Sequence, residues 1–280
     1  MISYDFEYYK PKSIQEATQL FQSLDNQGKN PIYFSGGTEV ITLGRSNQII
    51  TEAVIDLKLI PECLVLKKEE NTVTLGSAQS LTKIREMNIF PFLNKTIVEI
   101  ADHVARNKIT LGGNICANII YREAILPLLL TESQVVIAGN TGLKQLPVNE
   151  IFNQNLQLER GEFLVQVITE LREIEWPFIS VKKRRQWDVG YPLITTAAIK
   201  KKGQIKLAFS GLCSFPFRNK QMEESINNQH LSKEARIDDA IQHIPAPVLD
   251  DVHGSAGYRK FVLKNTLVDV LDALEGERNV

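Results

Sequence analysis

Two segments limit how this chain can fold: Phe34-Ser35-Gly36-Gly37-Thr38-Glu39-Val40 and Thr110-Leu111-Gly112-Gly113-Asn114-Ile115. Each sets a glycine pair beside a β-like run and next to a hydroxyl residue. Glycine has no Cβ and reaches positive φ, so such pairs let the backbone turn sharply and approach a neighbour closely. Successive amides in turns of this kind form a concave donor nest suited to an anion, to which Thr38 and Thr110 can add hydroxyls. Two nests from separate segments suit a pyrophosphate better than a single phosphate, which points to a dinucleotide. The pattern is neither the G-x-G-x-x-G fingerprint nor a Walker loop, since no Gly-Lys-Ser/Thr is present. A single Gly-Gly pair also fits an ordinary tight turn, and spacing alone leaves both readings standing.

The segments around the loops alternate between helix and strand patterns. Ser13 followed by Glu16 is a capping box, and Ile14, Ala17, Leu20, Phe21 and Leu24 recur at helical spacing up to a stop at Gly28. Pro31 to Phe34 is a short β-rich run entering the first glycine pair. Ala53 to Leu57 and Val73 to Ser77 read as strands, and Leu81 to Met87, Leu93 to Val104 and Ala124 to Leu130 as helices. Gln134 to Asn140 and Phe163 to Ile168 again read as strands. The pattern changes near Glu175-Trp176-Pro177. Strands then dominate over Phe178–Lys182, Leu193–Lys200 and Ile205–Ser214, with a hairpin turn at 200–204. A mainly helical tail follows from Met222, and its last helix, about Ala256 to Leu274, turns Phe261, Leu263, Leu267, Val270, Leu271 and Leu274 to one side. A boundary is therefore expected near residues 170–177, with mixed α and β before it and a small sheet with helices after it.

Bulk properties exclude several function classes. With 43% hydrophobic and 23% charged residues and a net charge of -1, nothing attracts nucleic acid or an acidic membrane in bulk. No run approaches the roughly 18–20 apolar residues of a membrane span. The start, Met1 to Phe6, is not patterned as a signal peptide, so the cytoplasm is the expected location. Cys63, Cys116 and Cys213 are far apart and form no C-x-x-C, so three buried or half-buried thiols are expected rather than a zinc or iron–sulfur site. His103, His230, His243 and His253 lack metal-ligand spacing.

Several ordered motifs resemble the FAD-binding subunits and domains of the xanthine dehydrogenase, aldehyde oxidase and molybdenum carbon monoxide dehydrogenase family. Ser35 to Val40 is similar to the family's first flavin loop, and Arg106 to Ile115 to its second. Asp56-Leu57-Lys58-Leu59-Ile60-Pro61 and Leu75-Gly76-Ser77 match further family segments. Asp250 to Arg259 is similar to the C-terminal "Asp-x-x-Gly-Ser-x-x-Tyr-Arg". The resemblance covers nearly the whole chain in order.

The resemblance implies an α+β protein with the vanillyl-alcohol-oxidase-type FAD-binding fold. Two α/β subdomains, about 1–55 and 56–172, would hold an extended FAD, and a C-terminal domain, 173–280, would be an antiparallel sheet with helices. It implies FAD as cofactor, with Tyr33, Phe34, Ser35, Gly36, Gly37, Thr38 and Glu39, and Thr110, Leu111, Gly112, Gly113 and Asn114, around the pyrophosphate and ribityl. Glu123 stands where the family usually has Asp holding a polar edge of the cofactor, and 117–122 lacks the usual small residues and proline. Glu123 also fits a helix-start carboxylate. Lys182, in the basic run 182–185, falls where a basic strand approaches the flavin ring, although a solvated strand face fits that run too. Trp187 and Tyr191 are candidates to cover the ring.

The family implies no catalytic acid or base here. Electrons from a heterocycle such as a purine, oxidised on a molybdopterin-binding large subunit, would cross the clusters of a [2Fe-2S] small subunit, reach FAD, and leave to NAD+. The expected function is thus the flavin subunit of a xanthine dehydrogenase-type enzyme. Alternatives are the flavin subunit of another aromatic-heterocycle, aldehyde or carbon monoxide dehydrogenase, a free-standing flavin reductase, or an interaction protein without flavin.

Overall fold

A computed structural model describes residues 2–185 and 190–276. The chain divides into two compact units. Residues 1–89, 102–117 and 133–171 form the first, and residues 90–101, 118–132 and 172–280 the second.

The first unit contains two sheets. β1 (Glu7–Tyr9), β2 (Ile32–Phe34) and β3 (Ala53–Asp56) pair in parallel in the order β1-β3-β2. Parallel neighbours cannot be joined by a tight turn, and α1 (Ile14–Asn26) supplies the crossover from β1 to β2. Ser13 caps it as the sequence pattern predicts, its Oγ accepting from Glu16 N at 3.1 Å. Gly28 stands just past its end with φ +76°. Ala17, Phe21 and Leu24 on one face of α1 pack with Ile55, Ile60, Phe163 and Val165. α2 (Thr38–Arg45) follows β2 directly.

The second sheet of this unit is antiparallel. Its strands β4 (Leu66–Lys68), β5 (Thr72–Gly76), β6 (Gln134–Gly139), β7 (Gly142–Pro147) and β10 (Phe163–Glu170) run in the order β4-β5-β10-β6-β7. Helices α3 (Leu81–Met87), α5 (His103–Arg106), α6 (Leu111–Ile115) and α8 (Val148–Ile151) and a small hairpin, β8 (Phe152–Asn153) with β9 (Asn155–Leu156), fill the connections. A bulge in β10 between Leu164 and Gln166 takes Val165 out of the ladder, and its carbonyl accepts from Ser77 N at 2.9 Å. That displacement fixes the turn after β5, against which the second glycine loop rests.

After α9 (Leu171–Ile174), the second unit is built on the antiparallel sheet β11 (Phe178–Lys183), β12 (Ile194–Lys201), β13 (Gln204–Ser210) and β14 (Phe217–Arg218), in that order. The β12–β13 turn carries Lys202 and Gly203 at φ +52° and +79°, which matches the twist of two-residue hairpins. α10 (Lys220–Asn227), α11 (Lys233–Gln242) and α12 (Ala256–Glu275) pack on the side of Ile194, Ala198, Leu207 and Phe209, while α4 (Pro91–Ile97) and α7 (Ile125–Leu130) also contact the sheet.

Three sequence expectations need correction. The helix read over Leu93–Val104 breaks after Ile97. Ala101 adopts φ +48°, and Asp102 then caps α5 by accepting from Ala105 N at 2.7 Å. In α12, Leu263, Leu267, Val270, Leu271 and Leu274 are buried, but Phe261 is exposed and stacks near Tyr258. Two residues from Leu263 is roughly 200° around a helix, so the two cannot share a face. Cys116 is exposed, while burial pushes the thiols of Cys63 and Cys213 up to about 11. Among the described residues no helix is long and apolar enough to cross a membrane.

Candidate cofactor site

The two glycine loops meet within the first unit. A Cβ placed on Gly36 would land on the carbonyl oxygen of Lys108, with the carbonyl carbon 3.1 Å away and Thr110 N at 3.2 Å. Only a residue without a side chain lets these backbones touch. Gly37 has φ +73°, and a Cβ there would strike the ring of Phe34.

The loops use their amides differently. Gly37 is the N-cap of α2 and offers no side chain, so the first amides of that helix receive no side-chain cap. A helix start of this kind is a donor surface for an anion. Ser35 Oγ lies beside it, buried and without a hydrogen-bond partner. A buried hydroxyl left so costs on the order of 1–3 kcal/mol unless something bonds to it. In the second loop Leu111 N donates to Gln79 O at 2.9 Å, Gly112 N to Ser77 O at 2.8 Å and Gly113 N to Thr110 Oγ at 3.2 Å. A Cβ on Gly112 would meet Ser77 Cβ at 2.7 Å. The sequence pattern suggested two donor nests; in the structure the first helix amides after Gly37 receive no side-chain cap, while the amides of Leu111, Gly112 and Gly113 donate to Gln79 O, Ser77 O and Thr110 Oγ.

The side chains explain why the first loop holds its shape. Tyr33 points into the core, its ring stacked 4.9 Å from Phe21 and its hydroxyl donating to Gly161 O at 3.0 Å; burial pushes its phenol well up. Only its backbone is left to face a ligand. Thr38 O accepts from Thr42 Oγ at 2.8 Å within α2, and Glu39 lies in the first turn of that helix. Asn114 is buried at the second loop.

In the second unit, Glu123 and Lys182 are joined to each other. Lys182 Nζ lies 2.8 Å from Glu123 Oε1 and donates to Glu99 O at 2.7 Å; both charged side chains are 3% exposed. Glu123 therefore spends this oxygen on a lysine. Basic residues alternate along and beyond the strand: Lys182 and Arg184 turn inward, Arg184 to Glu99 at 2.8 Å, and Lys183 is half exposed near Asp269. Tyr191 is exposed on one side and stacks on Tyr121 at 4.7 Å, with His253 edge-on to both. Trp187 lies outside the described residues. Among the described residues no three His, Cys, Asp or Glu side chains are grouped to hold a metal.

Residues 4–169 match the family model described as "FAD binding domain in molybdopterin dehydrogenase". The chain belongs to this family. FAD is its cofactor, and the chain is the FAD-binding subunit of a molybdenum hydroxylase-type oxidoreductase. The bare helix start, the orphaned Ser35 hydroxyl and the close-packed glycines fit the diphosphate of that cofactor. The nicotinate dehydrogenase FAD-subunit of Eubacterium barkeri is 24% identical, the match covering 98% of this chain and 99% of that one. The xanthine dehydrogenase FAD-binding subunit of Escherichia coli O157:H7 is 26% identical over 58% of this chain and 57% of its own. A solved carbon monoxide dehydrogenase from Hydrogenophaga pseudoflava, lacking the Mo-pyranopterin moiety of the molybdenum cofactor, shares the fold with a TM-score of 0.88 at 23% identity, covering 99% of both chains.

In the sequence Lys58 stood out only as part of the 56–61 family segment; the structure brings its ammonium 2.8 Å from Ser35 O. Sequence reasoning missed that Ser77 and Gln79 would consume the amides of the second loop.

Proposed function

We propose that this chain is the flavin subunit of an assembly that oxidises a nitrogen heteroaromatic, of the xanthine type, and delivers the electrons to NAD+. Relatives named for nicotinate and for xanthine both concern nitrogen heteroaromatics, which supports that substrate class, while relatives of similar identity named for glyceraldehyde and carbon monoxide keep those substrates as the alternative. The names of the nicotinate and xanthine relatives as FAD subunits support partner chains, which we take to be a molybdopterin-binding large chain and a [2Fe-2S] small chain, and the dehydrogenase names are in keeping with NAD+ as the acceptor. When bound, FAD supplies the change from one-electron to two-electron chemistry.

This chain's residues bind and orient. The backbone of Tyr33–Glu39, with the Ser35 hydroxyl, holds the diphosphate through the helix start of α2. Thr110–Asn114 braces that loop from behind. Glu123 and Lys182 act as one paired unit within the second unit, tying residues 118–124 to β11. No side chain serves as general acid or base. The observation that carries the reading is the backbone-to-backbone approach of Gly36 to Lys108 and Thr110.

The test is to purify the native assembly by a tag on this chain. Stoichiometric FAD, molybdenum and iron, together with NAD+-dependent oxidation of xanthine or nicotinate, are the expected result. A yellow chain that purifies alone and reduces a small substrate with NADH would favour the free-standing reductase.

A further inference from the structure

Lys58 lies outside both glycine loops, yet its surroundings tie it to the first. Its ammonium makes three contacts: Ser35 O at 2.8 Å, Asp56 Oδ1 at 2.8 Å, and the face of the Phe34 ring, 4.6 Å from the centroid. Asp56 is itself fixed. It ends β3, accepts from the backbone of Lys58 at 3.0 Å, and accepts from the Tyr8 hydroxyl through its other oxygen. Tyr8 also stands edge-on to Phe34, with ring centroids 6.3 Å apart. A line of contacts thus runs from β1, through the end of β3, to the end of β2, where the first loop begins.

The geometry points to Lys58 as a positioning residue for the FAD diphosphate: it clamps the first glycine loop from behind at two points. At one, it holds the carbonyl of Ser35, the peptide that leads into Gly36. At the other, it presses the Phe34 ring, the same ring that a side chain on Gly37 would strike. A lysine carbonyl contact is a charge-assisted hydrogen bond, stronger than a neutral one, and a cation over an aromatic face adds to it. Asp56 is 4% exposed and Lys58 41%. The lysine's charge is therefore largely neutralised by a fixed partner, and it works by orientation rather than by attracting the cofactor from a distance. With the carbonyl of Ser35 held on the lysine, the Gly36 N–H of the same trans peptide points the opposite way.

This inference rests on the loop assignment under Proposed function, and the experiment separates the two. Full-length chain stripped of flavin is titrated with FAD and, separately, with riboflavin, which lacks the diphosphate. Thermal midpoints are recorded for each flavin-free variant. Lys58→Met should weaken FAD about 10-fold, the effect of losing one charge-assisted contact. Riboflavin affinity should hold, and Lys58→Arg should recover most of the loss. Lys58→Gln, which keeps the stem and a neutral donor, should fall between. Gly36→Val tests the loop itself and should remove the preference for FAD over riboflavin. If Gly36→Val removes that preference while Lys58→Met does not change it, the clamp is wrong and the loop assignment stands. If Gly36→Val keeps the preference, both fall. Equal weakening of FAD and riboflavin by Lys58→Met, with a large drop in thermal midpoint, would reduce Lys58 to a packing residue and overturn the inference.

Discussion

Gly36→Ala is the smallest change that tests the architecture of the cofactor site. The added carbon would sit closer than 3.0 Å to the Lys108 carbonyl oxygen and within 3.1 Å of its carbon. Favourable contacts between nonbonded heavy atoms lie at about 3.5–4.0 Å, so the overlap is on the order of 1 Å. The obstacle is backbone, and that backbone is pinned: Lys108 N donates to Ala105 O at 2.9 Å, and Ile109 O accepts from Leu81 N at 2.9 Å. Relief therefore requires the two loops to part. Overpacking of this kind costs about 1–3 kcal/mol. At roughly 2–4 °C per kcal/mol for chains of this size, the flavin-free protein should melt about 2–12 °C lower. If the same displacement is charged to the bound state, FAD affinity should fall roughly 5- to 150-fold. Scanning fluorimetry and quenching of flavin fluorescence read the two effects. A variant with the parent's melting point and FAD affinity would show that the loops are not in backbone contact.

Other expectations are independent of the glycines. Lys182→Met should destabilise by about 3–5 kcal/mol, because it leaves Glu123 buried without its cation, and the double change Glu123→Leu with Lys182→Met should recover much of this; denaturant titration distinguishes them, and a double variant as unstable as the single would count against the paired role. Burial raises Glu132, but hydrogen bonds from Lys206 and Lys201 outweigh it and hold the carboxyl down to about 2, against 4.5 unperturbed. A carboxyl depressed in the folded state stabilises fully above its unfolded value and loses that contribution as the pH falls from about 4.5 toward 2. Glu132→Gln should therefore flatten acid unfolding in that window, followed by circular dichroism, and superimposable curves would refute it. Gly257→Ala, where nothing lies within 4 Å and the residue is in the first turn of α12, should stabilise by up to about 0.5 kcal/mol in thermal melts.

Much of the fold was legible because its signals are local. The capping box at Ser13, the alternating strand runs and the Lys202-Gly203 turn each carry their own geometry, and the structure follows them. The break between Ile97 and His103 was not legible. It depends on Ala101 adopting a left-handed conformation, which no alanine announces. At the site, the glycine pairs showed where backbones approach. They did not show which amides remain to bind, because that depends on carbonyls contributed by Ser77 and Gln79 through a bulge in β10. The pairing of Glu123 with Lys182 was hidden for a similar reason. Two charged residues far apart in sequence give no sign that burial will join them.

In the proposed arrangement, the FAD diphosphate lies against the start of α2. A crystal structure of the FAD-loaded chain measures this directly. Phosphate oxygens are expected within hydrogen-bond distance, about 2.7–3.2 Å, of backbone amides between Gly36 and Glu39, with Ser35 Oγ engaged. A diphosphate held elsewhere, with those amides facing solvent, would contradict it.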